Sequence, residues 1–257
     1  MSAITLYAQA SPSFADKLAA TQALLADATA RFSPTTQASS LGAEDMVITH
    51  LLHTLQLPSE VFVLQTGKLH AETNALLQTV QTTYGADRVV RVYEPDAKVA
   101  ADFVAANGED AMYQSITLRK ACCDIRKMVP LAQALQGKKA WITGLRREQS
   151  NARAEVHAIE LPAAPSEGRA TIAKINPLAD WTNGDVWHYL ATHHVPYNAL
   201  HDQFYPSIGC APCTRAVTLG EDFRSGRWWW ENESAKECGL HVAATSSLRD
   251  IPVVASA

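Results

Sequence analysis

Short apolar, β-branched runs alternate with amphipathic helical stretches through the first half of this chain and beyond, and several of the runs stop at a glycine. EVFVLQT runs into Gly67, DRVVRVYEP follows, and KKAWITGL ends near Gly144. EVFVLQT is short, apolar and rich in β-branched residues, as a strand buried on both faces requires, and the other two also read as strands. Between them lie helical patterns. Over residues 14–32, Phe14, Leu18, Leu25, Ala28 and Phe32 fall on one face. DMVITHLLHTL and residues 72–84, 97–106 and 122–135 also read as helical. This rhythm predicts an α/β fold in which a parallel sheet carries helices on both faces. Ligands of such sheets bind beyond the carboxyl ends of the strands, where the loops at Gly42, Gly67 and Gly144 would lie. TTQAS occupies a strand position that its composition does not decide. Past Arg153 the pattern weakens: AAPSEGRAT reads as a connector and TIAKINPL as a short strand. Thr182, with Asp185 three residues on, reads as the capped start of a helix through DVWHYLATHH.

At 257 residues, with 47% hydrophobic and 19% charged, the chain has room for one large domain. We expect that domain to span residues 1–230 and a mobile C-terminal tail, 231–257, to follow. A net charge of −4 argues against a general nucleic-acid or membrane-surface binder. No basic-then-apolar leader opens the sequence, and no run approaches the roughly 20 apolar residues of a membrane span. The expected location is therefore the reducing cytoplasm, where clustered cysteines serve metals or catalysis rather than disulfides. The basic residues form islands: Arg119, Lys120, Arg126 and Lys127; Arg146, Arg147 and Arg153; Arg215, Arg224 and Arg227. Such islands on an acidic protein suit a small anionic ligand.

Four of the five cysteines form two tight pairs, Cys122-Cys123 and Cys210-Ala-Pro-Cys213. Four sulfurs suit zinc or an iron–sulfur cluster, with a redox disulfide or buried thiols as the remaining readings. Adjacent cysteines point in different directions, which a cluster with separate iron corners tolerates better than one tetrahedral ion does. Arg126 and Lys127 would offset the charge of such a cluster and face an anion. Ser39-Ser40-Leu41-Gly42-Ala43-Glu44-Asp45 runs into a helix and offers backbone N–H groups to a phosphate, although Asp45 would repel one unless it serves as a cap. Cys238, beside Gly239 and three residues from His241, is a lone thiol that nearby cations would make nucleophilic. His50, His53, His193 and His194 read as packing or surface residues.

Taken in order, SSLGAED, LQTGKLHAET, ACCDIRK, WITGLRREQS, INPLADWT, VPYNALHDQFYPSIGCAPCTR, GRWWWE and ECGLH resemble the iron–sulfur-containing assimilatory adenylyl-sulfate reductases, over residues 35–241. The resemblance implies an adenine-nucleotide α-hydrolase-like (PP-loop) fold. It implies a 4Fe–4S cluster on Cys122, Cys123, Cys210 and Cys213, adenosine 5′-phosphosulfate as substrate and thioredoxin as reductant. It makes Cys238 the catalytic nucleophile. Substrate contacts are expected from Ser39, Ser40, Gly42, Gly67, Lys127, Gly144, Arg153, Arg224, Arg227 and His241. No nucleic acid or membrane is expected as a partner, and the reading leaves room for a homo-oligomer. Relatives acting on the 3′-phosphorylated nucleotide generally lack the four cluster cysteines, so their presence favours the unphosphorylated substrate. Where that family often reads LDTGRL, this chain has Gln65 for Asp and Lys68 for Arg, a difference that bears on nucleotide affinity if the loop contacts the adenosine. Rival readings are a reductase of the 3′-phosphorylated nucleotide, an ATP-using thiolating transferase with the same nucleotide loop, and a non-catalytic redox sensor.

Overall fold

The computed structural model describes residues 2–85, 89–150, 153–161, 172–218 and 220–231. Six strands form one sheet: β1 (Thr35–Ser39), β2 (Ser59–Leu64), β3 (Val90–Tyr93), β4 (Ala140–Ile142), β5 (Ile159–Glu160) and β6 (Ala173–Ile175). Their spatial order is β3-β2-β1-β4-β6-β5, and every pairing is parallel except that of β5 with β6. The chain winds outward from β1 to β3, then returns to place β4 on the other side of β1. The switch of direction therefore falls between β1 and β4, where a doubly wound sheet opens a crevice at its carboxyl edge.

Helices α1 (Ala3–Tyr7), α2 (Phe14–Arg31), α3 (Ala43–Thr54), α4 (Ala71–Tyr84), α5 (Ala97–Asn107), α6 (Ala111–Gln114), α7 (Ile116–Cys123), α8 (Val129–Leu135) and α9 (Asn183–Thr192) complete the described residues, with short 3₁₀ turns. A π-helical turn, Asp124–Met128, joins α7 to α8. Alternation along the strands builds two cores. Val63, Ile142 and Ile175 meet residues of α2, α3, α4 and α9 on one face. Phe62 and Trp141 meet Leu131 and Ala134 of α8 on the other. The expected two-faced parallel sheet is present. No helix among the described residues is long and apolar enough to cross a membrane.

TTQAS is indeed a strand, buried despite its polar composition. Its neighbours satisfy it: Gln37 donates to the Asp45 carbonyl at 2.8 Å and accepts from the Thr49 hydroxyl at 3.0 Å. The Thr182–Asp185 capping box forms in both directions at 3.0 Å. Asp185 does more than cap, because it also accepts from Ser11 N–H at 2.7 Å and Lys17 Nζ at 2.8 Å. Burial pushes this carboxyl up, but those donors outweigh burial and hold it far below the carboxylate range.

Candidate active site

A cavity opens at the carboxyl edge between β1 and β4. Ser39, Ser40 and Gly42 line it from the β1–α3 loop, and Thr143, Gly144, Gln149 and Arg153 from the segment after β4. Phe62, Leu131 and Trp141 supply an apolar wall, suited to a flat aromatic base. Gly42 caps the twelve-residue α3 without any side-chain cap, so the positive end of this helix fronts the cavity. Gly144 is needed for close packing: a Cβ there would lie 2.6 Å from Asp45 Oδ1 and 2.8 Å from Glu44 Cβ.

The β1–α3 loop is braced by its own side chains. Ser40 donates both its N–H and its hydroxyl to Asp45 Oδ2, each at 2.6 Å, and Leu41 N–H donates to Ser39 Oγ at 3.2 Å. These two amides therefore hold the loop's shape instead of facing a phosphate. Asp45 does not cap α3; it ties the loop back. Burial pushes its carboxyl up to about 6, with Ser40 opposing and Glu44 adding to the rise. A carboxyl raised on folding gives stability that is complete at acid pH and is lost as pH climbs through that value. A rise of two units corresponds to about 3 kcal/mol. Between about pH 3 and pH 7 the wild type should lose about 3 kcal/mol more stability than Asp45→Asn in urea unfolding. Equal losses would show that Asp45 does not carry this titration.

Four cations line the cavity: Lys127, Arg153, Arg224 and Arg227. Lys127 and Arg227 also line a second, smaller pocket. That pocket gathers Cys122 and Cys123 from the end of α7 with Cys210 and Cys213 around a 3₁₀ turn. All four are free thiols. The Cys210 segment is pinned to the loop after β2, with Ala211 N–H donating to the Lys68 carbonyl at 2.7 Å and Thr66 Oγ1 lying 3.3 Å from Cys210 Sγ. Arg126 Nη1 donates to the Thr66 carbonyl at 2.7 Å. Two guanidiniums pack on the Trp228 ring, with Arg119 4.6 Å and Arg227 4.8 Å from its centroid. Gly209 makes room for Arg227, since a Cβ there would lie 2.5 Å from its guanidinium.

The thiols are not alike. Burial pushes Cys213 up to about 12, with Cys210 and Cys123 adding to the rise, and burial also raises Cys122. Burial works against ionising Cys210 too, but Lys127, Thr66, Arg227 and Arg126 outweigh it and lower that thiol. Among the described residues, no three His, Cys, Asp or Glu side chains converge closely enough to hold one metal ion.

The phosphoadenosine phosphosulfate reductase domain matches residues 34–216, well over half of the chain. The chain belongs to this family. Adenosine 5′-phosphosulfate reductase of Allochromatium vinosum is 53% identical over 204 residues, which cover 79% of this chain and 77% of that protein. The enzyme of the same name from Burkholderia cepacia is 48% identical over 246 residues, covering 96% and 94%. In three dimensions the chain is similar to phosphoadenylyl-sulfate reductase from Candida auris in its phosphate complex. That structure has a TM-score of 0.63 and 25% identity, over 81% of this chain and 98% of that one.

Of the positions that the family resemblance marked as substrate-binding, the structure brings Ser39, Ser40, Gly42, Lys127, Gly144, Arg153, Arg224 and Arg227 to one cavity. Gly67 is not among the cavity's lining residues. Its φ of 72° shapes the turn after β2. Gln65 closes the same turn, accepting from Gly67 N–H at 3.2 Å and donating to Asn74 at 2.7 Å. Lys68 lines the sulfur pocket and pairs with Glu109 at 2.7 Å. Neither departure from the family pattern is among the residues lining the cavity at the carboxyl edge. Cys238 and His241 lie outside the described residues, as does the expected tail beyond Glu231. Sequence reasoning missed Glu44, Gln149, Thr66 and His201 as cavity residues. The only hint for the first two was polar residues placed just after loop glycines or arginines.

Proposed function

We propose that the chain is the enzyme that reduces adenosine 5′-phosphosulfate to sulfite and AMP in assimilatory sulfate reduction, with thioredoxin as the electron donor. The observation that carries this reading is the shared wall: Lys127 and Arg227 line both the cavity and the four-sulfur pocket. An anion lying in the cavity thus meets cations that are themselves held beside the sulfurs. The names of the relatives supply the nucleotide class, and the four retained cysteines favour the form without a 3′-phosphate.

The chemistry follows from charge. The sulfonyl sulfur of a phosphosulfate anhydride is screened by anionic oxygens, so an approaching thiolate needs cations around the group. Lys127, Arg153, Arg224 and Arg227 provide them. The Cys238 thiolate forms a bond to that sulfur while the sulfur–oxygen bond to phosphate breaks, and AMP leaves with the bonding pair. An S-sulfonate remains on Cys238. A thioredoxin thiolate then attacks the Cys238 sulfur and expels sulfite, and the second thioredoxin thiol frees Cys238 by disulfide exchange. The dithiol gives up two electrons, and sulfate-level sulfur becomes sulfite.

The donor set fits a 4Fe–4S centre. Four sulfurs surround one pocket, yet no three come together for a single ion. Burial and mutual repulsion keep Cys122 and Cys213 protonated, a bias that a bound cationic centre would reverse. Cys122, Cys123, Cys210 and Cys213 would hold it. When bound, it would supply a fixed, net-negative node that keeps Lys127 and Arg227 at the cavity wall.

The second reading, reduction of the 3′-phosphorylated nucleotide, is favoured by the structural likeness to the Candida auris enzyme. Sulfite release from each nucleotide, side by side with reduced thioredoxin, separates the two. The proposal requires a strong preference for adenosine 5′-phosphosulfate, and equal rates would overturn that assignment.

A further inference from the structure

Arg153 reaches the cavity through a chain of buried polar contacts that begins on α3. Arg146 meets Glu44 Oε1 with Nη2 at 2.8 Å and Nε at 2.9 Å. Gln149 Nε2 donates to the same carboxylate oxygen at 2.9 Å and to the Gly144 carbonyl at 3.3 Å. Gln149 Oε1 accepts from Arg146 N–H at 3.2 Å and from Arg153 Nη1 at 2.5 Å. Both faces of the amide are therefore committed. Turning it over would set its NH₂ against two donors and its oxygen against a carboxylate and a carbonyl. Gln149 and Arg153 are each 8% exposed and Arg146 is 1% exposed, so water competes little for these contacts.

The sequence of charges matters as much as the geometry. Burial works to raise the Glu44 carboxyl, but Arg146 and Gln149 outweigh it, so Glu44 stays ionised. Its charge is taken up by Arg146, which also meets the exposed Glu148 at 3.0 Å. The next link is a neutral amide. Gln149 fixes the direction of the Arg153 guanidinium and leaves its positive charge in place. A carboxylate at this link would set an oxygen against Glu44 and the Gly144 carbonyl, and where ionised it would cancel the charge that an anionic substrate needs.

We infer that Gln149 is a positioning residue for nucleotide binding, passing the rigid Glu44–Arg146 arrangement on to Arg153 while preserving its charge. The inference rests on the proposed function for the identity of the anion that Arg153 meets. The test uses the full-length, metal-loaded enzyme with adenosine 5′-phosphosulfate and reduced thioredoxin. Gln149→Met, of similar length without the amide, should raise KM about tenfold and leave kcat within about twofold. Gln149→Glu should raise KM at least as far, because it removes charge as well as balance. In an Arg153→Met background, Gln149→Met should add less than about twofold, as expected when one residue acts through the other. An undiminished effect in that background, or a wild-type KM in both single variants, overturns the inference. Should Gln149→Met fail to fold, Gln149→Glu carries the same comparison in both backgrounds. Absence of turnover by the wild type would instead sink the functional reading, which keeps the two failures distinct.

Discussion

The Cys238→Ser enzyme should release sulfite at least about a thousandfold more slowly than the wild type, while its metal content and AMP affinity should stay within about twofold. The large loss follows from acid–base chemistry. A cysteine among cations exists substantially as thiolate near neutral pH, whereas a serine hydroxyl in the same place does not ionise. No described residue replaces it: the four thiols of the structure ring the second pocket, and two of them, Cys122 and Cys213, are pushed toward the protonated form. The small effect on binding follows from the cavity, whose described lining residues, Lys127, Arg153, Arg224 and Arg227 among them, are left unchanged by the substitution. Sulfite production, iron determination and AMP titration on the same preparation check all three parts. A Cys238→Ser enzyme that still turns over at full rate would remove the nucleophile from the scheme.

Cys210→Ser should have the second-largest effect. We expect it to strip the protein of iron and of brown colour, and to lower turnover by at least about a hundredfold. Burial opposes ionising Cys210, but Lys127, Thr66, Arg227 and Arg126 outweigh it and favour the anion. Two of those cations also form the cavity wall. Losing the anionic node on one side of Lys127 and Arg227 frees them to turn from the substrate, so nucleotide affinity should fall together with the metal. Iron analysis, the visible spectrum and AMP titration read this out. An iron-free variant with normal turnover would show that the sulfur pocket does not support the site.

Much of this architecture was legible in the sequence because it is local. The β-branched runs at EVFVLQT and KKAWITGL, the helical stripe from Phe14 to Phe32 and the Thr182–Asp185 box each depend on near neighbours. TTQAS was not decidable, because its burial is made tolerable by Asp45 and Thr49 on the following helix. β5 is two residues long and takes its identity from pairing with β6. The same distinction runs through the site. The two cysteine pairs announced themselves by spacing. Which cations faced both pockets did not, since Lys127 and Arg227 meet there only through the tertiary fold. Asp185 looked like a helix cap and is also the anchor for Ser11 and Lys17. Asp45 looked repulsive to a phosphate and instead braces the loop through Ser40. The LDTGRL departures would bear on nucleotide affinity only if that loop met the adenosine; Gln65 bonds Asn74 and Lys68 pairs with Glu109.

The most direct test of the account is a single turnover without reductant. Metal-loaded protein mixed with excess adenosine 5′-phosphosulfate, in the absence of thioredoxin, should release one equivalent of AMP. It should also gain the mass of one sulfonate group, mapped by peptide analysis to Cys238 and discharged as sulfite when reduced thioredoxin is added. Sulfite appearing without any covalent adduct, or an adduct on one of the other four cysteines, would contradict it.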